Sequence, residues 1–395
     1  MNPDVLTRAN DILINVYAFW PVQFVRGDGC YLFDDQGKKY LDFAACIAVT
    51  NLGYNHKAYI KALQDQVAAL HLSLCYTPDP VRLRAAEKMI ALSGLDQVYF
   101  CSSGAEAVEG CLKTARKWAT ETKGPDCYEF IYVRDSFHGR TMGALSMNGQ
   151  DAYRKGFEPL LPGTHEARFN DLESVRKLIN KNTAGIIVEP VLGEGGILAG
   201  THEFIHGLRA LCDEHNVVLI LDEVQCGMGR IGTIFAYEHY GVLPDLVCWA
   251  KGLGAGFPVG AFMGKKKFTS HITHGSHGST YGGNPMACAA VNVVLDEITK
   301  PGFLDNVKTT GQVLRDGLED IARRTKMISN VRGLGMMIAA DYHGGKAKDF
   351  VKTCLKQGLV ILTCGENSLR IVPPLVLSPD EAREGLGLLE DALKH

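Results

Sequence analysis

The stretch "VVLILDEVQ", Val217 to Gln225, decides the fold. An unbroken apolar run closes on two adjacent carboxylates, Asp222 and Glu223, which is the pattern of a strand buried on both faces that ends at a polar edge. Four further runs share this character: "QVYFC" (Gln97 to Cys101), "FIYVR" (Phe130 to Arg134), "GIIVEP" (Gly185 to Pro190) and "LVCWAK" (Leu246 to Lys251). Helical stretches are expected between several of them, over Ala105 to Ala119, Leu172 to Ile179 and Glu203 to Glu214. Strand and helix in alternation predict an α/β fold with a mostly parallel sheet covered on both faces.

Ligands of such sheets bind beyond the carboxyl ends of the strands. The residues to interrogate are therefore Ser102 to Ala105, Ser136 to Arg140, Glu189, Asp222 to Gln225, and Lys251. In "CSSGAEAVEGCLKTARKW", Ser103 and Glu106 have capping-box spacing, so a helix start should point its free amides at the strand ends, as a phosphate cradle or simply as a capped helix. Asp222 suits a protonated heterocyclic nitrogen, although a strand-end Asp also serves as a helix cap or ion-pair partner. Lys251 ends an apolar run, where desolvation favours the neutral amine and hence Schiff-base chemistry. The glycines after it, in "AKGLGAGFPVG", read as room for a cofactor and a neighbouring subunit. None of the three features is specific alone. Together they match the phosphate, ring nitrogen and aldehyde of pyridoxal phosphate.

Composition narrows the partners. The chain has 395 residues, 46% hydrophobic and 22% charged, with a formal net charge of -3. With a pI near 6.5 and a mean hydropathy of -0.01, it offers no basic footprint for nucleic acid or an anionic membrane. The lysines Lys265 to Lys267 read as a solvated turn. The amino terminus fits neither a signal peptide nor a membrane span, so a cytoplasmic location is expected. Twelve cysteines without a C-x-x-C pair read as reduced, mostly packed thiols. Residues 1–48 read as a helix followed by hairpin material with Gly37 in the turn, and residues 300–395 as long helices around "VRGLGMMIAAD" and "GLVILT". Both ends are expected to form one small domain, with residues 49–299 as the large one.

The motifs "VRGDGCYLFDDQGKKYLDF", "SGAEAVEGCLKTARK", "SFHGRTMGALSMNGQ", "VEPVLGEGG", "LDEVQCGMGRIGTIFAYEHYGVLPD", "HGSTYGGNP" and "LRIVPPL" resemble the class III, fold type I pyridoxal-phosphate aminotransferases, most closely the acetylornithine group. The resemblance implies a cytoplasmic homodimer with shared active sites. Lys251 and Asp222 would be catalytic, the lysine carrying the cofactor and moving a proton, the aspartate holding the ring nitrogen protonated. The cofactor phosphate would meet Ser103, Gly104 and Ala105, joined by Thr280 of the other subunit. Phe137 and Val224 would cover the two ring faces, and Gln225 would meet the phenolic oxygen. Arg140, Ser279, Arg370, Glu194 and Tyr17 would contact substrate, with Glu194 pairing Arg370 when the bound substrate lacks a carboxylate there. The implied reaction is ping-pong transfer of the δ-amino group of N-acetylornithine to 2-oxoglutarate in arginine biosynthesis. Ornithine, succinylornithine, 4-aminobutyrate and carrier-bound lysine are the alternative donors.

The sequence departs from the family pattern at Ser102, Val108, Tyr54, Lys57 and the Phe19–Trp20 segment, none of them at the Lys, Asp or phosphate positions. Two motifs invite other readings. "HEFIH", His202 to His206, has zinc-protease spacing but starts at a helix end and lacks an evident third ligand. "GMGRIG", Gly227 to Gly232, has dinucleotide-loop spacing but opens no long helix, so it reads as a tight loop. A non-catalytic scaffold would lack one of the expected catalytic positions, and all are filled.

Overall fold

The computed structural model describes residues 3–394; Met1, Asn2 and His395, assigned by sequence to the small domain, lie outside the described residues. A seven-stranded sheet runs in the order Gln97–Cys101, Gly260–Gly264, Leu246–Trp249, Val218–Asp222, Thr183–Val188, Glu129–Val133 and Thr164–Ala167. All strands are parallel except Gly260–Gly264, which is antiparallel to both neighbours. The mostly parallel α/β architecture is thus observed, and each of the five apolar runs supplies a strand. The sequence reading misses two strands. Thr164–Ala167 is a polar edge strand, and Gly260–Gly264 is bracketed by glycines that read as loop.

The unbroken apolar character of Val218–Asp222 follows from its place in the sheet. Leu219 and Leu221 enter one apolar cluster, while Val218 and Ile220 enter another on the opposite face. Alternating side chains therefore all meet core. One face is covered by the helix Gly104–Lys123 through Ala107, Cys111, Ala115 and Trp118. The other is covered by His202–His215 and Pro285–Ile298. The expected helix over Leu172 to Ile179 stops at Arg176, because Lys177 and Leu178 turn the chain toward the strand that starts at Thr183.

At the amino end, after the helix Pro3–Ile12, the strands Phe24–Asp28, Tyr31–Asp34 and Lys39–Asp42 form a meander. Gly37 takes φ +82° in its turn, where a side chain would crowd the backbone. The carboxyl-terminal strand Leu359–Val360 joins this sheet parallel to Lys39–Asp42. "VRGLGMMIAAD" lies largely in the strands Ile328–Leu334 and Met337–Tyr342, packed against the helix Phe303–Thr325, which in turn packs against Pro379–Ala392. Their apolar cluster takes in Leu41 and Phe43 with Leu314, Leu318 and Leu389, so residues from both chain ends share one core. All twelve cysteines are free, with Cys46 and Cys75 exposed and the others buried. Among the described residues no helix is long and apolar enough to cross a membrane.

Candidate active site

At the carboxyl ends of the parallel strands lies a cavity of about 410 Å³. Ser102 to Ala105, Phe137 to Arg140, Glu189, Asp222, Val224, Gln225, Ala250 and Lys251 line it, with Val49 and Gly256 to Val259 closing its rim. Each strand-end segment singled out from the sequence contributes.

Ser103 is the N-cap of Gly104–Lys123, and its hydroxyl accepts from the Glu106 amide at 3.2 Å. The reciprocal half of the expected capping box is displaced by one residue: the Glu106 carboxylate accepts from the Ser102 amide instead. The amides of Gly104 and Ala105, in the first helical turn, have no intrahelical acceptor and face a cavity at the positive end of the helix. A Cβ on Gly104 would come within 3.0 Å of the Val224 side chain, so the glycine lets the cradle and the strand-end wall close on each other.

Asp222 is buried. One carboxylate oxygen accepts the Val224 amide at 2.9 Å and the other lies 2.7 Å from Nδ1 of His138. His138 is fully enclosed, and its Nε2 has no partner. Glu223, the adjacent carboxylate, turns away as strand alternation requires. It accepts the amides of Ala236 and Tyr237 and the indole N–H of Trp249. Burial pushes its pKa up to about 7 against those three donors.

Lys251 stands two residues beyond the strand Leu246–Trp249 and takes φ +45°. That left-handed backbone is costly for a residue with a Cβ. Its Nζ has no hydrogen-bond or ion-pair partner among the described residues, and desolvation is the main cause that draws its pKa below the ordinary lysine range. Of the following glycines, the expected room for a cofactor is found at one and not at two others. A Cβ on Gly252 would strike Asn51, and one on Gly254 the carbonyl of Phe257, so both serve close approach within this chain. Gly256, at φ +119°, does line the cavity.

The two arginines differ. Arg370 is buried and its guanidinium is engaged by the Glu194 carboxylate at 2.5 Å, with Gln225 Oε1 at 3.5 Å. Arg140 is exposed at the cavity wall, has no carboxylate partner among the described residues, and lies over the ring of Tyr153 at 3.9 Å. Ser279, Thr280 and Tyr17 do not line this cavity. Ser279 and the exposed Thr280 line a separate concavity of about 710 Å³ with Leu72, Leu74 and Tyr76. Tyr17 is 72% exposed.

Sequence reasoning assigned no role to several residues here. His138 sits inside the strand-end window 136–140, yet no spacing signals that its ring meets Asp222. Glu189 accepts the amides of Phe137 and Gly193 at 2.8 and 2.9 Å. Burial first, then Asp222, raises its pKa to about 7. Val49 follows a turn, Ala45 to Ala48, in which four non-glycine residues take positive φ. Asp42 caps that turn through the amides of Ala44 and Ala45, and the departure Tyr54 donates its hydroxyl to the same carboxylate at 2.8 Å.

The rival motifs take other roles. His202 and His206 share a helix with ring centroids 6.2 Å apart, and among the described residues no three His, Cys, Asp or Glu side chains are grouped to hold a metal ion. In "GMGRIG" the buried Arg230 donates to the carbonyls of Met336 and Pro373 and to Asn51, so the loop is a structural anchor.

Comparison with known proteins gives one answer. The class-III aminotransferase family matches residues 15–393. The acetylornithine aminotransferase of Caldanaerobacter subterraneus subsp. tengcongensis is 41% identical over 99% of both chains. The succinylornithine transaminase of Yersinia enterocolitica is 44% identical over 95% of this chain and 93% of its own. Among solved structures, the ornithine aminotransferase of Toxoplasma gondii superposes with TM-score 0.95 at 31% identity, covering 99% of this chain and 94% of that one. With a strand-end lysine, a buried carboxylate and a helix N-terminus around one cavity, and with matches that run its whole length, this chain belongs to the class-III aminotransferases.

Proposed function

We propose that the protein transfers the δ-amino group of N-acetylornithine to 2-oxoglutarate by a ping-pong route with pyridoxal phosphate, giving N-acetylglutamate 5-semialdehyde and glutamate. The observation that carries this reading is the convergence of Lys251, Asp222 and the Gly104–Ala105 amides on one cavity of about 410 Å³. These residues fit the cofactor. A buried amine without a partner suits its aldehyde, a buried carboxylate suits its ring nitrogen, and free helix amides beside Ser103 suit its phosphate. Phe137 and Val224 stand as walls for the ring, with Gln225 for the phenolic oxygen.

When bound, pyridoxal phosphate supplies an aldehyde that takes the amino group and a ring that accepts electrons as a C–H bond breaks. The chain supplies the rest. Lys251 Nζ, whose pKa is drawn below the ordinary lysine range by desolvation, would anchor the cofactor between turnovers. In the first half-reaction it would take the proton from the amino-bearing carbon of the donor, and in the second it would deliver one to the acceptor carbon that gains the amino group. Asp222, backed by His138, is the carboxylate that would hold the ring nitrogen and favour its protonated form. Arg140 offers a planar fork to a substrate carboxylate. Arg370 stays with Glu194 while the ω-amino donor is bound and turns to the α-carboxylate of 2-oxoglutarate in the second half-reaction.

The same reading makes the enzyme a cytoplasmic homodimer in which Ser279 and Thr280 serve the other subunit's cavity. Its support is that both residues lie outside this chain's own cavity, in a region where Leu74, Tyr76 and Tyr281 are exposed. It also divides the chain into a large domain, 49–299, and a small one from 1–48 and 300–395. Entry of Tyr17 into substrate contact would require the second copy or closure of the amino-terminal segment.

A second reading, succinylornithine as donor, is favoured by the 44% identity to the Yersinia enterocolitica enzyme. Rates with N-acetylornithine, succinylornithine, ornithine and 4-aminobutyrate against 2-oxoglutarate separate the two. The proposal expects the largest kcat/KM with N-acetylornithine; a larger value with another donor replaces it. Arg140→Ala should raise KM for carboxylate-bearing substrates more than it lowers kcat.

A further inference from the structure

The two arginines at the cavity are held in opposite ways. The guanidinium of Arg370 is engaged at its edge, where Nη1 donates to the Glu194 carboxylate while Nε has no partner. Arg140 is engaged at its face. Its guanidinium carbon lies 3.9 Å from the centroid of the Tyr153 ring and 5.3 Å from that of Phe137. The two rings meet edge to face, with centroids 5.6 Å apart and planes at 83°. A guanidinium presents its five N–H donors in its plane, so stacking restricts the group while leaving that whole edge for a ligand. An unsupported exposed arginine would lose its considerable rotamer freedom each time it captured a carboxylate.

Tyr153 is itself fixed. It lies in the short turn Asp151–Arg154, and Arg154 of that turn donates to the hydroxyl of Tyr132 at 2.6 Å on the strand Glu129–Val133. The chain between is drawn close to the same strand end: the Asp135 amide donates to the Gly149 carbonyl at 3.0 Å, and a Cβ on Gly149 would come within 2.4 Å of the backbone at Val133 and Asp135. The turn that carries Tyr153 and the loop that carries Phe137 and Arg140 are therefore locked together. Burial is the main cause that raises the phenol's pKa above its ordinary value, with Glu194, Arg140 and Arg370 all within electrostatic reach. The ring thus lies near both arginines while stacking on one.

We propose that Tyr153 is a positioning residue that holds Arg140 by its face, so that the guanidinium edge stands preformed for a substrate carboxylate. The proposal rests on the reading of Arg140 as a carboxylate receptor. It assigns the work to the aromatic face and not to the hydroxyl. Tyr153→Phe should therefore behave as the parent enzyme, and Tyr153→Leu, which keeps apolar bulk without a π face, should not.

The test measures kcat and KM for N-acetylornithine and 2-oxoglutarate in holoenzyme carrying Tyr153→Phe, Tyr153→Leu or Arg140→Gln. The expected result is a KM rise of about three- to thirtyfold for Tyr153→Leu, the range of a stacked cation–π contact. Its kcat at saturation should stay within about twofold, and Tyr153→Phe should keep the parent KM. A parent KM in Tyr153→Leu, or a fall in its kcat matching the rise in KM, overturns the proposal. So does a loss in Tyr153→Phe equal to that in Tyr153→Leu. The Arg140→Gln arm separates the two levels. If it raises KM and Tyr153→Leu does not, only the positioning role fails. If Arg140→Gln leaves both KM values unchanged, the receptor reading fails and takes the positioning role with it.

Discussion

The Asp222 carboxylate lies 2.7 Å from Nδ1 of His138, and both side chains are buried beneath the floor of the cavity. A carboxylate with this ring behind it and the Val224 amide at its other oxygen is fixed in orientation toward the cavity. His138→Leu removes one of the two partners and leaves a buried charge less well held. The expected outcome is a fall in kcat of about tenfold to a hundredfold, the scale of one hydrogen bond to a charged group. Steady-state rates at saturating substrates check it, and a kcat within twofold of the parent would show that the Val224 amide alone holds Asp222.

The pairing of Arg370 with Glu194 predicts a change in donor preference. Glu194→Gln weakens the ion pair without removing bulk, so Arg370 is released more readily to an α-carboxylate. The kcat/KM for glutamate relative to that for N-acetylornithine should rise about tenfold, measured in separate half-reactions by the change in cofactor absorbance. An unchanged ratio would mean that Glu194 does not govern access to Arg370.

Two buried carboxyls give the fold a pH signature. Glu189 and Glu223 have pKa values raised to about 7, chiefly by burial, from an ordinary value of 4.5. Between these limits the native state holds protons that the unfolded chain has released, so their contribution to stability is full at the lower limit and is lost as pH rises through about 7. Unfolding near pH 6 should therefore release protons from these groups. Calorimetry in buffers of different ionisation enthalpy measures the release, which should fall by up to about one proton in Glu223→Gln, since a single carboxyl binds one proton. An equal release in variant and parent would show that Glu223 is ionised in the native state.

The legible part of this molecule is the part built from continuous apolar strands. Val218–Asp222 must meet core on both faces, and that constraint is written in the five consecutive apolar residues Val217 to Leu221. It also delivers Asp222 to the sheet edge, as the run before Lys251 delivers the lysine. Gly260–Gly264 is invisible because its strand character comes from pairing on both sides, not from its glycine-bracketed sequence. Tyr153 and the contacts of His138 and Glu189 are invisible for a different reason. Their roles depend on partners that lie elsewhere in the sequence, at Asp222, Phe137 and Arg140, and no local period marks such a meeting. That the glycines after Lys251 leave room is legible, but what fills it beside Gly252 and Gly254 is a tertiary fact: the Asn51 side chain and the Phe257 carbonyl of the same chain. Thr280 belongs to neither group, since it is exposed outside this chain's own cavity and the role proposed for it needs a second copy of the chain.

The central claim is that Lys251 Nζ is the amine to which pyridoxal phosphate is bound and the base of both half-reactions. Reconstituting the parent and Lys251→Ala with pyridoxal phosphate, then following absorbance and glutamate formation from N-acetylornithine and 2-oxoglutarate, tests it most directly. The parent should form the absorbance band of a lysine-linked cofactor and turn over, whereas Lys251→Ala should lack that band and lose transamination. Parent-level turnover in Lys251→Ala would contradict the account.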